Sequence, residues 1–438
     1  MKILFVHKAF PAQFGDFAIW LAAQGWDVTY ATNTPGAWAP GVRIMPFRPH
    51  REPSPQTHPY AQPLDRAALF AQGFARAALA ARREGYSPDV VVTHAGWGPG
   101  MFAREIFPKA CCVAYVEWWY RWPPMDLAFL GETPPDADEN PDAPMLERAR
   151  NAPLMLEMDA ADAVWCPTEF QASQIPRAWS SSLTVIHDGV DTHRHAPGCN
   201  HHSRNDTGNI SNNPVDGHGC ARGAHRPLSG ALWGALGGRI PLAAPVVTYA
   251  TRGMEPHRGF AQFMRALPAI LGATPNAHVV IAGENRVFYG SDKMRKVDWR
   301  ARLLSEIDVD LQRVHFVGTL DRPLFCDLLR SSAAHVYLTA PFATSWSLLE
   351  AMATGCAIVA SNTSPVSEFV KDGEQGLLVD FFDSRAIAAA VTQLLRSPTG
   401  NATLRRRARQ GVIERVDARM VWPRKEKLLR EMISQTMR

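Results

Sequence analysis

Pro341-Phe-Ala-Thr-Ser-Trp-Ser-Leu-Leu-Glu-Ala-Met-Ala-Thr-Gly-Cys356 lies between two short apolar, β-prone runs, residues 335–339 and 357–360. It reads as the end of a strand, the opening of a helix and the lead into a second strand. Thr344 and Ser345 are candidate N-caps, and they leave unpaired N–H groups at the helix start. Glu350 stands about a turn further in. A carboxylate there can accept both hydroxyls of a ribose through two short hydrogen bonds. Taken alone, the same residue also reads as a plain complement to the helix dipole.

The strand–helix–strand grammar extends in both directions. Towards the C-terminus comes 377–381; upstream, in the same half, lie 246–250, 277–282 and 314–317, with helical patterns at 260–271, 298–306, 323–329 and 386–395. The first half repeats it, with strands expected at 2–7, 26–31, 42–47, 89–94, 111–117, 163–167 and 183–187 and helices at 12–23, 64–83 and 146–160. Continuous apolar runs with helices between them imply parallel strands buried on both faces. The fold class is therefore α/β, with two Rossmann-like parallel-sheet domains facing across a cleft. The expected division is 1–194 for the N-terminal domain, 195–243 for a low-complexity insertion or linker, 244–415 for the C-terminal domain, and 416–438 for a helix returning to the first. Helix N-termini and strand ends converge in such a cleft, and their positive partial charge suits a diphosphate.

Composition narrows the class. The 438 residues fit two domains. With 46% hydrophobic and 20% charged residues the chain can bury large cores. The 46 Lys and Arg against 42 Asp and Glu are too balanced to argue for nucleic acid. Seven cysteines without a C-x-x-C pair, four of them (Cys111, Cys112, Cys166, Cys356) in apolar runs, read as buried hydrophobes of a reducing compartment. Only four apolar residues precede the first polar one after Lys2, and no run is long enough to span a membrane. The expected location is cytoplasmic. The Arg405–Arg409 run reads as a solvated helix face, with contact at the inner membrane face as its second reading.

The 341–356 segment resembles the helix signature of the retaining family-4 (group 1) glycosyltransferases of the GT-B fold, in which two glutamates stand eight positions apart before Ala-Met-Ala-x-Gly. Glu350 matches the second, which in the family holds the ribose of a nucleotide-sugar. The first, which helps hold the donor hexose, is Phe342 here. Upstream, Val246-Val-Thr-Tyr-Ala-Thr-Arg252-Gly-Met-Glu-Pro-His-Arg258-Gly259-Phe260 resembles the family's strand, Gly-Arg loop and Lys-Gly turn, with Arg258 in place of Lys. Two cations six residues apart at a helix start can bracket a diphosphate. Gly283 and Gly318 match strand-end landmarks; the loop after the second passes close to the nucleotide base in the family. Glu368 and Asp372-Gly-Glu-Gln-Gly376 complete the family's order, so the resemblance runs from about 245 to 395.

The N-terminal half carries weaker signals. Gly15 stands where the family often has a glycine near the donor phosphate, and His94, ending Asp89-Val-Val-Val-Thr-His94, where it often has a histidine reaching the sugar or acceptor. Glu117, Tyr120 and Arg121, in Glu117-Trp-Trp-Tyr-Arg-Trp122, suit sugar stacking and hydroxyl recognition, and we assign them to the acceptor.

The resemblance implies transfer of a sugar from a nucleoside-diphosphate-sugar, the co-substrate, to a glycan or lipid-linked acceptor, with N–H groups near Thr344, Ser345 and Trp346 meeting the donor sugar or phosphate. It implies no cofactor and no metal. Asp308-Val-Asp310 and the Cys199, His201, His202, His218, Cys220, His225 set are the weighed metal readings; the first matches Asp-x-Asp but sits between a helix and a strand start, and the second is irregularly spaced. The alternatives are a sugar-nucleotide epimerase or hydrolase, a phosphorylase, and a non-catalytic sugar-nucleotide-binding partner subunit, the last motivated by Phe342.

Overall fold

The computed structural model describes residues 1–132, 140–198 and 228–436. Every residue of β4 (Val90–His94) and β5 (Cys111–Tyr115) is buried, and β1 (Lys2–Val6) is buried beyond Lys2. Strands of this composition need cover on both faces, and helices supply it. Together with β2 (Asp27–Thr32), β3 (Val42–Pro46), β6 (Ala163–Cys166) and β7 (Leu183–Val185) they form a seven-stranded parallel sheet in the order β3-β2-β1-β4-β5-β6-β7. Ile3 and Phe5 point to the face covered by helices Gly15–Ala23 and Ala418–Thr436; Leu4 and Val6 point to the other, under Gln62–Arg83.

The second sheet has six parallel strands, β8 (Val246–Gly253), β9 (His278–Glu284), β10 (Val314–Gly318), β11 (Ser332–Tyr337), β12 (Ile358–Ser361) and β13 (Leu377–Val379), ordered β10-β9-β8-β11-β12-β13. Both sheets are doubly wound, and the strand order reverses between β1 and β4 in the first and between β8 and β11 in the second. In such sheets ligands bind beyond the carboxyl ends of the strands at that reversal.

The chain forms two units, Met1–Gly189 with Ala418–Arg438, and Val190–Asp417. The C-terminal helix is tied into the first by a buried ion pair, Lys425 Nζ to Asp188 Oδ1 at 3.6 Å, and by Trp26 Nε1 donating to Glu426 at 2.9 Å. Several local expectations are corrected. The helix expected at 146–160 is two, Asp142–Ala149 and Ala152–Asp159, because the Asn151 side chain turns away to bond both the N–H and the carbonyl of Tyr120. The returning helix, expected from 416, starts at Ala418 after a break at Asp417, which accepts from Thr192 at 2.6 Å, and Pro423 rides inside it.

Residues from Leu228 onward, expected to be linker, are folded. Leu228, Leu232, Leu236 and Ile240 bury against β8 and β9, with Ser229 capping a short helix. Arg405 and Arg409 do not face solvent either. They lie one turn apart, and both turn inward to donate to backbone carbonyls: Arg405 to Ala333 and Gly355, Arg409 to Thr192, His195 and Ala353. The candidate zinc ligands at 199–225 lie outside the described residues.

Candidate functional site

In the second unit the reversal between β8 and β11 is bridged by Arg258. After β8 the chain makes a short 3-10 turn, Pro256–Arg258, and passes through Gly259 into helix Phe260–Ala273. Gly259 has φ +64°, and a Cβ there would lie 2.5 Å from Leu338 Cβ, so only glycine fits. This close turn drives Arg258 into the protein, where it is 8% exposed. Its Nη1 donates to Thr339 Oγ1 at 2.8 Å and Tyr337 Oη at 3.4 Å, and both terminal nitrogens approach the Ala343 carbonyl at 3.5 Å. None of these acceptors is charged, and no carboxylate pairs with Arg258 among the described residues. Tyr249, in turn, donates to the Arg258 carbonyl at 2.6 Å.

Glu255, fully buried, accepts from the N–H groups of Phe288 and Tyr289 at 2.6 and 3.0 Å. Burial pushes its carboxyl above the usual range against those two bonds. By this grip Glu255 sets both aromatic rings: Tyr289 lies 5.5 Å from the Arg258 guanidinium, and Phe288 carries Arg252 at 4.1 Å and Arg286 at 4.2 Å. Arg252 is thus exposed, lying over the Phe288 ring.

Ser345 caps helix Trp346–Thr354 by accepting from Ser347 N, and Gly355 closes it in the left-handed region. The Ser345 N–H, expected from the sequence to be open to a ligand, instead donates to Tyr337 Oη at 3.0 Å. Tyr337 therefore joins Arg258 to the helix start. Thr344 donates to the Pro365 carbonyl at 3.2 Å. Phe342 packs against Tyr289 at 5.3 Å and edge-on to His257 at 6.4 Å. Glu350 is held by Arg322 at 2.5 Å and by His195 at 3.4 Å. Gly283 and Gly318 come together in the wall of a cavity of about 310 Å³ that also has Glu284, Asn285, Arg286 and Arg300 in its lining. Gly283, at φ +142°, would put a Cβ 2.3 Å from the Thr251 carbonyl oxygen.

In the first unit His7 and His94 meet edge to face at 4.5 Å across the reversal between β1 and β4. Burial, and then the neighbouring His94, push His7 well below the usual imidazole range. His94 is 3% exposed, makes no hydrogen bond among the described residues, and faces Glu117 at 3.5 Å. Gln13 donates to the same carboxylate at 3.1 Å. The turn behind His94 is set by Glu157, 2% exposed, which accepts from Gly96 N at 2.9 Å and Gly98 N at 3.0 Å.

Of the expected acceptor residues, only Glu117 is near His94. Tyr120 stacks under Arg150 at 3.7 Å, and Arg121 is spent on the Gln174 and Ser173 carbonyls at 2.7 and 3.4 Å. Gly15 opens its helix in close contact with Pro11, where a Cβ would lie 2.3 Å from Pro11 Cβ. Asp310, the weighed metal ligand, pairs with Arg313 at 2.9 Å.

Residues 24–195 match the Glycosyl transferase family 4 group, and residues 244–397 match Glycosyl transferases group 1. These matches take in about three quarters of the chain and every strand of both sheets except β1. The chain belongs to the family 4, group 1 glycosyltransferases. This glycosyltransferase is 30% identical over 161 residues to the phosphatidyl-myo-inositol mannosyltransferase of Mycobacterium leprae; the match spans 36% of the chain and 39% of that relative's length. Its fold is that of GT-B enzymes. Sucrose-phosphate synthase from Thermosynechococcus elongatus superposes with a TM-score of 0.70 at 17% identity, covering 99% of this chain and 100% of that one. Anabaena HepE in complex with UDP-glucose gives 0.62 at 17% identity, covering 99% and 100%. No described helix is long and apolar enough to cross a membrane.

Sequence reasoning missed Glu157, Glu255, Tyr337 and His195. Each acts on a partner 33 or more residues away in the chain, and no local spacing announces it.

Proposed function

We propose that this glycosyltransferase moves a sugar from a nucleoside-diphosphate donor to a glycan or lipid-linked acceptor, with retention of configuration, in polysaccharide, lipopolysaccharide or glycolipid assembly. One observation carries the reading. Arg258 is a buried guanidinium whose hydrogen-bond partners among the described residues are all neutral, at a helix start and at the carboxyl end of the sheet's reversal. Glu255 favours its charged form only through space, and a diphosphate would supply a counter-charge that hydrogen-bonds to it directly. The relative named as a mannosyltransferase of phosphatidyl-myo-inositol and the neighbour bound to UDP-glucose support the donor and acceptor classes.

In this reading negative charge grows on the diphosphate as the glycosidic bond breaks. Arg258 stabilises it from within, and Arg252 from the exposed edge. Glu350 orients the donor through its ribose, Thr344 to Trp346 approach the phosphate or sugar, and Gly283 and Gly318 border the cavity that takes the base. His94 and Glu117 act on the acceptor or the reacting sugar. The departing diphosphate takes the acceptor proton on the face where the sugar leaves. The proposal includes no carboxylate nucleophile, cofactor or metal. With Arg405 and Arg409 turned inward, any membrane contact from that run falls to Arg406 and Arg407.

The test is release of nucleoside diphosphate from UDP- and GDP-sugars, with and without acceptor. Arg258→Ala and Glu350→Ala should each slow turnover at least tenfold, about 1.4 kcal/mol. Wild-type rates in both variants would reject the donor assignment. Phe342, which fills the place of the family's sugar-binding glutamate with an aromatic wall, favours a second reading, a subunit that binds sugar-nucleotide without turning it over. Tight binding with no turnover on any acceptor would select it.

A further inference from the structure

Glu350 is not a free carboxylate on a helix. Its Oε1 receives Arg322 Nη1 at 2.5 Å, and His195 Nε2 lies 3.4 Å from the same atom. Its Oε2 accepts from none of the described residues, while the side chain keeps 12% of its surface exposed. The two cations differ in character. Arg322, 44% exposed, reaches in from the first turn of helix Arg322–Arg330.

His195 is 2% exposed and fixed on every side. Its Nδ1 lies 3.8 Å from Cys326 Sγ, and its ring meets Phe325 edge-on at 6.5 Å. Its N–H donates to the Asp191 carbonyl at 3.0 Å, and its own carbonyl accepts from Arg409 at 3.0 Å. Burial alone would lower this imidazole. Cys326 and Glu350 outweigh it and raise it to about 9, while burial of Glu350 is outweighed by His195 and Arg322, which hold the carboxyl below its usual range. The three groups thus sit as one carboxylate between two cations.

We propose that His195 and Arg322 are positioning residues that pin Oε1 of Glu350, so that Oε2 is presented with both lone pairs free to the ribose hydroxyls of the donor. The inference rests on the ribose role proposed for Glu350. A glutamate side chain has three rotatable bonds, and holding it before the donor arrives removes part of the ordering cost of binding. The buried imidazolium supplies what an exposed arginine cannot, a partner that water does not screen.

The ribose hydroxyls give a direct readout. The full chain is titrated calorimetrically with UDP, GDP, dUDP and dGDP, and the ratio of the 2′-deoxy to the ribo dissociation constant is taken for the tighter base. Wild type should show a ratio of about ten, 1.4 kcal/mol, and Glu350→Ala a ratio near one. His195→Phe and Arg322→Gln should each bring the ratio down several-fold towards that of Glu350→Ala, while binding of inorganic pyrophosphate stays unchanged. Arg322→Lys should recover part of it. Because Arg322 is partly exposed, its variant keeps the test open if His195→Phe fails to fold. A wild-type ratio in both Arg322→Gln and folded His195→Phe overturns the inference and leaves the ribose role of Glu350 standing. A ratio near one in the wild type overturns the ribose role itself, and the inference with it.

Discussion

Glu157→Gln should stabilise the protein at alkaline pH and leave it nearly unchanged in acid. Glu157 is buried under the turn that follows His94, and burial raises its carboxyl from 4.5 to about 7 against two backbone N–H bonds from Gly96 and Gly98. The folded state therefore holds the proton more tightly than the unfolded chain. Between pH 4.5 and about 7 the folded protein carries more protons, so this group makes stability fall as pH rises. The shift corresponds to about 3 kcal/mol lost across that window, fully lost above it and absent below it.

Glutamine keeps an oxygen for Gly96 and Gly98 and never ionises. Urea denaturation of wild type and variant at pH 5 and pH 8 checks this, because other titrating groups cancel in the difference. The variant should gain roughly 2–3 kcal/mol on wild type between the two conditions. A change under 0.5 kcal/mol, or a relative loss at pH 8, would refute the argument that burial, not the two N–H bonds, governs this carboxyl.

Lys425→Met should destabilise by ~3–5 kcal/mol, read as a fall in the urea midpoint, because it removes the buried Lys425 cation from the buried Asp188 carboxylate; Asp188→Asn combined with it should recover much of the loss. Gly259→Ala forces a methyl 2.5 Å from Leu338 Cβ at φ +64° and should lower the melting temperature and abolish nucleoside-diphosphate binding together. Retained binding in that variant would show that Arg258 does not depend on the turn.

Much of the fold was legible because β1, β4, β5 and their counterparts in the second sheet are buried on both faces, and a run such as Ile-Leu-Phe-Val can hardly be anything else in a chain with helical patterns between its runs. The Arg258-Gly259 turn was legible for a different reason, since a glycine at a helix start is a backbone requirement that survives in the letters. What failed were judgements made from composition. Leu228, Leu232, Leu236 and Ile240 all bury against the sheet, but only Leu232 lies inside the six-residue helix Gly230–Ala235, too short a helix to show as a period among the surrounding glycines. Arg405 and Arg409 share a helix face by the same rule, and that face turned out to bind carbonyls.

Tyr120 and Arg121 looked like a sugar platform only until Arg150, Gln174 and Ser173 were brought beside them by the chain's return. The carboxylates that hold the loops, Glu157 and Glu255, could not be singled out, because a buried glutamate has the same letter as a solvated one. Burial and two converging N–H groups are properties of the folded neighbourhood.

The central claim is that Arg258 grips a nucleoside diphosphate. A thermal-shift panel of UDP, GDP, ADP and their sugars, run on wild type and Arg258→Ala side by side, tests it most directly. The account predicts that one nucleotide raises the melting temperature of the wild type and that the shift disappears in the variant. The same shift in both proteins, or none in the wild type with any nucleotide at millimolar concentration, would contradict it.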